Sequence, residues 1–316
     1  MTHAVAPTID VANDFGGCVR IDTLKRDIVE VQGPDARSFL QSLVSQDLDG
    51  VVPGGGTLSL LLAPQGKLVA AFRLICIDET TFWADCDAGV GATLRDGLAR
   101  FKIRVKAELA IRHDVGIVML RGHNVNEVLT ANSIAAPSQI VHAWTRTNDV
   151  VAIRTSWRGL DGVDLVVAVA SPMPIVGAAT LAAAQAETLR IECGVLLQGT
   201  NGDIDDSTIA QEAHLEQSSV SFTKGCFVGQ ELVCRIDSRG HVNRFVRHIV
   251  LDASVAASEL PDAAVVKFGD KVVGTISSRA PQGSATLGTV RREVEPGATV
   301  EVDGHPATVF SLVETP

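Results

Sequence analysis

From Arg244 to the C-terminus the sequence consists of short runs of alternating apolar and polar residues separated by Gly, Asp and Pro, and this pattern restricts the fold most strongly. Alternation with a period of two predicts strands that bury one face. Gly269-Asp270 and Asp303-Gly304 stand where tight turns would join neighbouring strands. We expect an all-β barrel of about five or six strands, because closing the sheet leaves no unpaired edge.

The residues before Arg244 predict a mixture of helices and strands. Two largely buried strands, TLSLLLA and LVAAFRLICI, flank the turn Pro64-Gln65-Gly66-Lys67. Helices are predicted for ARSFLQSLVSQDL, for residues 88–101 and for residues 176–190. Because 316 residues exceed what one core usually holds, we expect an α+β protein with an N-terminal sub-domain at 1–121, a second at 122–243 and the barrel at 244–316.

The charge balance argues against several classes of protein. The chain has 37 Asp and Glu against 27 Lys and Arg, a net charge of −10, so direct tRNA binding is not expected. The uncharged stretch 166–184 contains Pro172 and Pro174, and we expect a strand, a turn and a helix there rather than a membrane span. The N-terminus has neither the basic region nor the apolar core of a secretory signal, so a cytoplasmic location is expected.

The most informative window is SVSFTKGCFVGQELVCRIDSRG, residues 219–240. Lys224-Gly225-Cys226 places a thiol beside a cation and a residue without a side chain. Both neighbours favour an accessible thiolate, the form that acts as a nucleophile or metal ligand. Gly229 and the residues after it predict a tight loop followed by a helix or strand. The alternative is a structural turn in which Cys226 only packs, as most of the other cysteines are expected to do.

KGCFVGQE resembles the K-G-C-[Y/F]-x-G-Q-E signature of the YgfZ family, folate-binding relatives of the glycine-cleavage T-protein that support iron–sulfur enzymes. The segments GPDARSFLQSLVSQDL, LLAPQGKLVAAFRL, LRIECG, VGTISS and LGTVRR resemble other parts of that family in the same order. Phe227 stands where Tyr is commoner and keeps the aromatic ring. The resemblance implies two intertwined T-protein-like α+β sub-domains around a central channel for tetrahydrofolate, followed by the barrel.

The resemblance also implies site residues. Cys226 matches the family's essential cysteine, and Cys226 and Lys224 are the expected catalytic residues. Cys226 is also a candidate transient iron ligand. No permanent metal site is expected, because one cysteine cannot supply the four thiolates of a cluster. Glu192 in LRIECG resembles the glutamate that T-proteins use at the pterin, where a carboxylate accepts two N–H donors; the alternative is a helix-end charge that meets solvent or Arg190. The residues expected to bind folate are Arg190, Glu192, Gln230, Glu231, Arg235 and Arg239.

One departure bears on the reaction. T-proteins carry an Asp pair after the glycine of the hairpin, whereas this chain has Ala70 and Ala71, which have no proton-transfer group. We therefore expect a tetrahydrofolate-binding protein that assists maturation or repair of iron–sulfur enzymes, including those that modify tRNA, with client enzymes or assembly proteins as partners. The alternatives are an aminomethyltransferase or other tetrahydrofolate-dependent one-carbon enzyme, and a cysteine hydrolase using His214 or His241 as base. Whether the chain is an enzyme stays open.

A run of basic residues follows the signature on this acidic chain: Arg235, Arg239, His241, Arg244, Arg247 and His248. These residues are candidates for contacting the glutamate tail of folate or an acidic partner. The alternative is a set of solvated charges that pair with the surplus of Asp and Glu.

Overall fold

The computed structural model describes residues 9–170 and 173–312. The helices, in chain order, are α1 Val11–Asp14, α2 Ala36–Leu43, α3 Gly91–Ala99, α4 Val125–Ala131, α5 Ala183–Glu192, α6 Glu216–Ser219 and α7 Gln230–Arg239. The strands are β1 Val19–Ile21, β2 Arg26–Gln32, β3 Gly56–Leu62, β4 Leu68–Asp78, β5 Thr81–Asp87, β6 Glu108–Ile111, β7 Val115–Arg121, β8 Trp144–Thr147, β9 Val150–Trp157, β10 Leu160–Ala168, β11 Ala179–Thr180, β12 Arg244–Leu251, β13 Val265–Phe268, β14 Lys271–Arg279, β15 Ala285–Arg291, β16 Thr299–Val302 and β17 His305–Phe310. Single 3₁₀ turns lie at Ala210–Ala213 and Ala257–Glu259.

The predicted C-terminal barrel is confirmed. Six strands close in the order β12-β15-β14-β13-β16-β17 around a core of small and β-branched side chains. Gly269-Asp270 joins β13 to β14, and Asp303-Gly304 joins β16 to β17. Asp303 and Gly304 have φ angles of 48° and 88°. A hairpin turn with two left-handed residues matches the twist of its strands, which explains why Asp-Gly stands there.

Two further sheets interleave along the chain. A five-stranded sheet runs in the order β3-β4-β5-β2-β6, and a six-stranded sheet runs in the order β11-β1-β7-β10-β9-β8. Strands β1 and β7 lie within residues 1–121 and yet pair with strands β10 and β11, which follow residue 121. The expected α+β class with two intertwined sub-domains is therefore confirmed, while the boundaries at 121 and 243 stay predictions.

The two sheets face each other across a shared apolar core. Helices α2 and α3 cover the outer face of the five-stranded sheet, and α4 covers the outer face of the six-stranded sheet. Between the sheets, Ile75 and Trp83 of the first sheet pack with Met119 and Ile153 of the second. The inner faces thus enclose the space in which polar side chains from both sheets can meet.

The helix predicted for residues 176–190 begins later than expected, and its predicted start is wrong. Residues Ala179–Thr180 form strand β11 in parallel with β1, and helix α5 runs from Ala183 to Glu192. Strand pairing with β1 supplies backbone partners that outweigh the helical propensity of an Ala-rich segment. Pro172 lies outside the described residues. Within 9–170 and 173–312, no helix has the length and apolar composition that a membrane crossing needs.

Candidate functional site

The signature loop, residues 224–231 (KGCFVGQE), packs against the turn between β3 and β4. Gly229 has φ 79° and Gly66 has φ 77°, so both backbones are left-handed. A Cβ added to Gly229 would lie 2.4 Å from the carbonyl oxygen of Ala63, and one added to Gly66 would lie 2.6 Å from Cβ of Leu232. Only glycines allow this close approach. The PQGK turn and the signature loop, 160 residues apart in the chain, therefore form one unit.

Lys224 stabilises the end of helix α2. Its Nζ donates to the backbone carbonyl oxygens of Gln41 at 2.7 Å, Val44 at 2.8 Å and Gln46 at 2.9 Å. These carbonyls lie at the negative end of the helix, where a cation is favourable. Burial lowers the pKa of Lys224. Because an ammonium has three N–H donors and all are used, Lys224 has none left for Cys226. The predicted catalytic role of Lys224 gains no support from this geometry.

Cys226 is the exposed thiol of the chain. Cys18, Cys76, Cys86 and Cys193 are buried, and Cys234 is half-buried. The neighbouring Gly225 has no atom within 4 Å of an added Cβ, so space is open beside the sulfur. Phe227, with 7% of its surface exposed, inserts into a core with Val233 and Val246 and anchors the loop. The loop thus presents its sulfur to solvent while its aromatic residue holds it in place.

Helix α7 carries four of the predicted folate-binding residues, of which Gln230 is half-buried and the other three are exposed. Glu231, Arg235 and Arg239 are exposed, and Val233 is the buried residue of the helix. The Oε1 atom of Gln230 accepts a hydrogen bond from the backbone N–H of Phe227 at 3.2 Å, which closes the loop on itself. Neither these residues nor Cys226 line any of four cavities in the described part of the chain that have volumes of about 140–900 Å³.

Glu192, at the end of α5, lines a cavity of about 900 Å³, which we call the larger cavity. Its carboxylate is 6% exposed and accepts from the backbone N–H of Ile9 at 3.4 Å. Trp157 and Leu189 provide apolar walls. Enclosed, mostly apolar cavities of about 300–1,000 Å³ with a few polar groups are typical of small-molecule sites. Of the predicted folate-binding residues, Glu192 is therefore placed to contact a ligand.

Arg190 of the same helix is occupied by protein partners. Its Nε and Nη2 atoms donate to Glu187 at 2.8 Å and 2.6 Å, and Nη1 donates to Asp203 at 3.0 Å. The remaining N–H groups reach the carbonyl oxygen of Val195 and, at 2.9 Å, the hydroxyl of Ser278 in β14. All five guanidinium donors are thus satisfied. Arg190 ties α5 to the barrel, and it pairs with Glu187 and Asp203 rather than with Glu192.

A second cavity, the inter-sheet cavity of about 360 Å³, adjoins the first, because Ser156 and Trp157 line both. Asp164 of β10 accepts ion pairs from Arg73 of β4 and Arg121 of β7, each at 2.8 Å. Burial by itself would raise the pKa of Asp164, but Arg121 and Arg73 lower it to about 2. The guanidinium of Arg121 also lies 4.6 Å from the ring centroid of Trp157. The ion pair between Arg73 and Asp164 therefore crosses from one sheet to the other inside the cavity.

This network was not predicted from the sequence, although a signal was present. Arg73 interrupts the apolar run LVAAFRLICI, and Asp164 interrupts the apolar run around VDLVV. Charged side chains in otherwise buried strands are rare unless they are paired. A search for single charges within apolar strands would have found both residues, but not their partnership.

The Ala70 and Ala71 positions carry no acid in this structure either. Ala70 is buried under α2 and α3, and the backbone N–H of Ala71 donates to Oε1 of Gln198 at 2.8 Å. The carboxylate of Asp87, which lines the inter-sheet cavity, already accepts from Arg26 at 2.8 Å and from the backbone N–H of Gln198 at 2.8 Å. The hairpin strand therefore has no carboxylate positioned to move a proton.

The two histidines considered as bases for Cys226 lie in different settings. Nε2 of His214 bonds to Nη1 of Arg247 at 2.9 Å, and its ring stacks on Phe245. Burial and then Arg247 lower the pKa of His214 to about 4. His241 is exposed. Within the described residues no hydrogen bond joins Cys226 to a histidine, so the pairing that a cysteine hydrolase needs is missing.

The basic run after the signature separates into buried and exposed members. Arg247 and His248 are buried, and Arg244 pairs with Glu212 at 2.9 Å, whereas Arg235 and Arg239 are exposed.

No cluster of three or more His, Cys, Asp or Glu side chains that could hold a metal ion occurs among residues 9–170 and 173–312. An iron ion bound at Cys226 would therefore need ligands from outside the described residues.

Comparison with known proteins places these features in a family. The family model described as GCVT N-terminal domain matches residues 17–224. An aminomethyltransferase of Bordetella petrii is 28% identical over 305 residues, covering 90% of this chain and 80% of that protein. The mitochondrial iron–sulfur cluster assembly factor IBA57 of Mus musculus is 26% identical over 89% of this chain and 79% of that protein. For the IBA57 homologue of Neurospora crassa, 25% identical over 75% of this chain, the match spans 54% of that protein.

A solved structure shares the fold. The glycine cleavage system aminomethyltransferase T of Bartonella henselae matches 93% of this chain and 85% of its own length with a TM-score of 0.81 and 17% sequence identity. At that identity the likeness concerns the fold alone. The matched model covers both interleaved sheets and ends at Lys224, the first residue of the signature loop. The chain thus belongs to the GCVT N-terminal domain family, and the resemblance to its YgfZ relatives predicted from the signature is confirmed.

Proposed function

We propose that this protein binds a reduced folate and assists the maturation or repair of iron–sulfur enzymes through Cys226. The observation that carries the proposal is the exposed sulfur of Cys226 on a loop whose other contacts are fixed by Phe227, Gly229 and Lys224. A rigid loop that leaves one thiol open suits reaction with a partner rather than packing. The cluster assembly factors among the relatives support the same reading.

The larger cavity fits a reduced folate in the chemistry of its residues. Glu192 is a buried carboxylate at the cavity wall, and a carboxylate can accept two neighbouring N–H donors of a pterin ring. Trp157 offers an aromatic face in the same wall. Bound folate would supply a one-carbon carrier; the protein residues would orient its ring and exclude water. Whether a folate occupies this cavity is part of the proposal.

The absence of an acid at positions 70 and 71 of β4 favours an assisting role over group transfer. A transferase must stabilise charge and move a proton at the reacting carbon. Ala70 and Ala71 supply neither function, and the nearby Asp87 is already held by Arg26 and Gln198. Cys226, a single sulfur, would hold iron or a cluster only together with ligands of a client enzyme or assembly protein. Enzymes that modify tRNA are among the clients we propose.

Calorimetric titration with tetrahydrofolate tests the binding half of the proposal. Glu192→Gln keeps the size of the side chain but removes one of the two acceptor oxygens, and we expect binding to weaken about tenfold or more. Glu231→Gln is the matched control, because Glu231 lies exposed on α7 and should bind like the unaltered protein. Equal weakening in both variants would show that Glu192 is not part of the folate site. No binding by the unaltered protein would contradict the folate half of the proposal.

Complementation tests the thiol half. In a strain that lacks this protein, Cys226→Ser should fail to restore the activity of cluster-dependent enzymes, because an alcohol is neither a good nucleophile nor a soft metal ligand. Cys234→Ser is the control, since Cys234 is half-buried on α7. Full restoration by Cys226→Ser would contradict the proposal even if folate binds.

A second candidate function is an aminomethyltransferase or related one-carbon transferase. It is favoured by the 28% identity to the Bordetella petrii aminomethyltransferase over 90% of this chain. This candidate predicts methylene-tetrahydrofolate formation from an aminomethyl carrier. We expect none, and turnover that survives in Cys226→Ser would replace the leading proposal by this one.

A further inference from the structure

Strand pairing in the barrel assembles an arginine cleft that the linear sequence does not show. In the β12–β15 pair, Arg244 lies directly opposite Arg291. The backbone N–H of Arg292 bonds to the carbonyl oxygen of Asn243 at 3.0 Å, which continues the pairing beyond the start of β12 and the end of β15. The resulting cleft, of about 410 Å³, is lined by Asn243, Arg244, Arg291, Arg292 and Glu293. We call these five residues the arginine cleft.

The cleft has unused cationic groups. Arg244 forms an ion pair with Glu212, but Arg291 and Arg292 are exposed and form no ion pair with any of the described residues. Together with Glu212, which pairs with Arg244, the cleft has three arginines against two carboxylates. The cleft is therefore locally positive, although the chain as a whole has a net charge of −10. A local positive site on an acidic protein attracts a compact anionic partner and repels extended polyanions.

The cleft lies at the far end of the helix that follows the signature loop. Helix α7 has ten residues and is therefore about 15 Å long. Arg239 at its end precedes Asn243 by four residues, a chain distance of at most about 14 Å. Arg235 lies one turn earlier on the same exposed face. A partner held at the cleft would thus meet the chain beyond the C-terminal end of α7, whereas Cys226 precedes the start of that helix.

We propose that the arginine cleft docks an acidic segment of a partner protein, rich in Asp and Glu. Guanidinium groups bind carboxylates as two-pronged donors, and several in one cleft select closely spaced carboxylates. A nucleic acid fits less well, since its many phosphates would meet the acidic remainder of the surface. The proposal rests on the proposed function only in making that partner a cluster-carrying protein that reacts with Cys226.

Fluorescence anisotropy with a labelled hexaglutamate peptide at low ionic strength tests the cleft. Arg291→Glu/Arg292→Glu should weaken binding about tenfold or more, and the neutral pair Arg291→Gln/Arg292→Gln should weaken it less. Arg100→Glu/Lys106→Glu is the control: it makes the same change in net charge at exposed residues between α3 and β6, outside the barrel. The control should retain the affinity of the unaltered protein.

Three outcomes would overturn the inference. These are no binding of the peptide, equal weakening in the cleft and control variants, and tighter binding of an RNA hairpin than of the peptide with loss in the cleft variant. Thermal unfolding of each variant separates loss of binding from loss of fold. Folate titration and Cys226→Ser complementation do not involve the cleft, so failure here would leave the proposed function standing, and failure there would leave the peptide result unchanged.

Discussion

Helices α5 and α7 were expected to contribute jointly to one folate site, yet they lie in contrasting surroundings. In α5, residues 188–192 are all buried, and Glu192 reaches the larger cavity. In α7, Val233 is the buried residue, and Glu231, Arg235 and Arg239 face solvent. Charged residues near one motif in sequence therefore separate into a pocket wall and a surface. Under our proposal the ligand binds at α5, and a partner meets the thiol at the loop that precedes α7.

The contrast has a packing origin. Helix α5 lies between the shared core of the sheets and the barrel, so its polar residues need partners inside the protein, as Arg190 has in Asp203 and Ser278. Helix α7 lies on the surface and leaves its charges hydrated. Buried polar groups cost far more to disturb than exposed ones. The largest effects of substitution should therefore come from α5.

Replacing Arg190 should produce the largest effect. Arg190→Met leaves the carboxylate of Asp203 buried without its cation, and we expect the free energy of unfolding to fall by about 3–5 kcal/mol. Arg235→Met on α7 should change it by less than about 0.5 kcal/mol. Urea denaturation followed by circular dichroism measures both. A similar loss in the two variants would break the contrast between the helices.

The next largest difference in stability is expected between substitutions of two glycines of the signature loop. Gly229→Ala places a Cβ against the carbonyl oxygen of Ala63 in a left-handed backbone, which should lower the free energy of unfolding by about 3 kcal/mol. Gly225→Ala meets open space and should change it by less than about 0.5 kcal/mol. Thermal unfolding of the pair tests whether the loop is fixed by its contact with the β3–β4 turn. A tolerated Gly229→Ala would show that it is not.

Acidification should lower the free energy of unfolding through His248, which lies beneath α5. Burial lowers the pKa of His248, near the backbone of Ile191, to about 4 from an ordinary value of 6.5. The unfolded chain then binds the proton first as the pH falls, so stability present above about pH 6.5 is lost toward about pH 4. Between about pH 7 and pH 5 the loss should be about 2 kcal/mol, and His248→Gln should remove that part. An unchanged pH profile in His248→Gln would rule out this histidine as the source.

The smallest expected effect is that of tetrahydrofolate on the rate at which Cys226 is modified. Iodoacetamide should modify Cys226 in the folded protein, whereas Cys18 and Cys193 should react after unfolding, because burial raises their pKa values to about 11 and about 12. Since Cys226 lies outside the cavity that holds Glu192, tetrahydrofolate should leave its rate of modification unchanged. Protection of Cys226 by folate would show that the pocket and the thiol form one site. Mass spectrometry of peptides after timed labelling gives both rates.

Local sequence determined much of this protein. Alternation and Asp-Gly turns set the strands of the barrel, and KGCFVGQE with PQGK marked the two segments whose glycines meet. These features depend on short-range backbone preferences that a residue carries wherever it stands. Cys226 was likewise predicted as the accessible thiol from its immediate neighbours.

Tertiary structure alone decided which charges meet. Lys224 adjoins Cys226 in sequence but binds the end of α2, and Arg291 joins Arg244 only through strand register. Strand β11 displaced the predicted helix start because β1 offered backbone partners. Charged side chains interact through space and find partners far along the chain, whereas turns and strand alternation are properties of adjacent residues. The sequence therefore determined the elements and the reactive sulfur, and packing decided the pocket and the charge pairs.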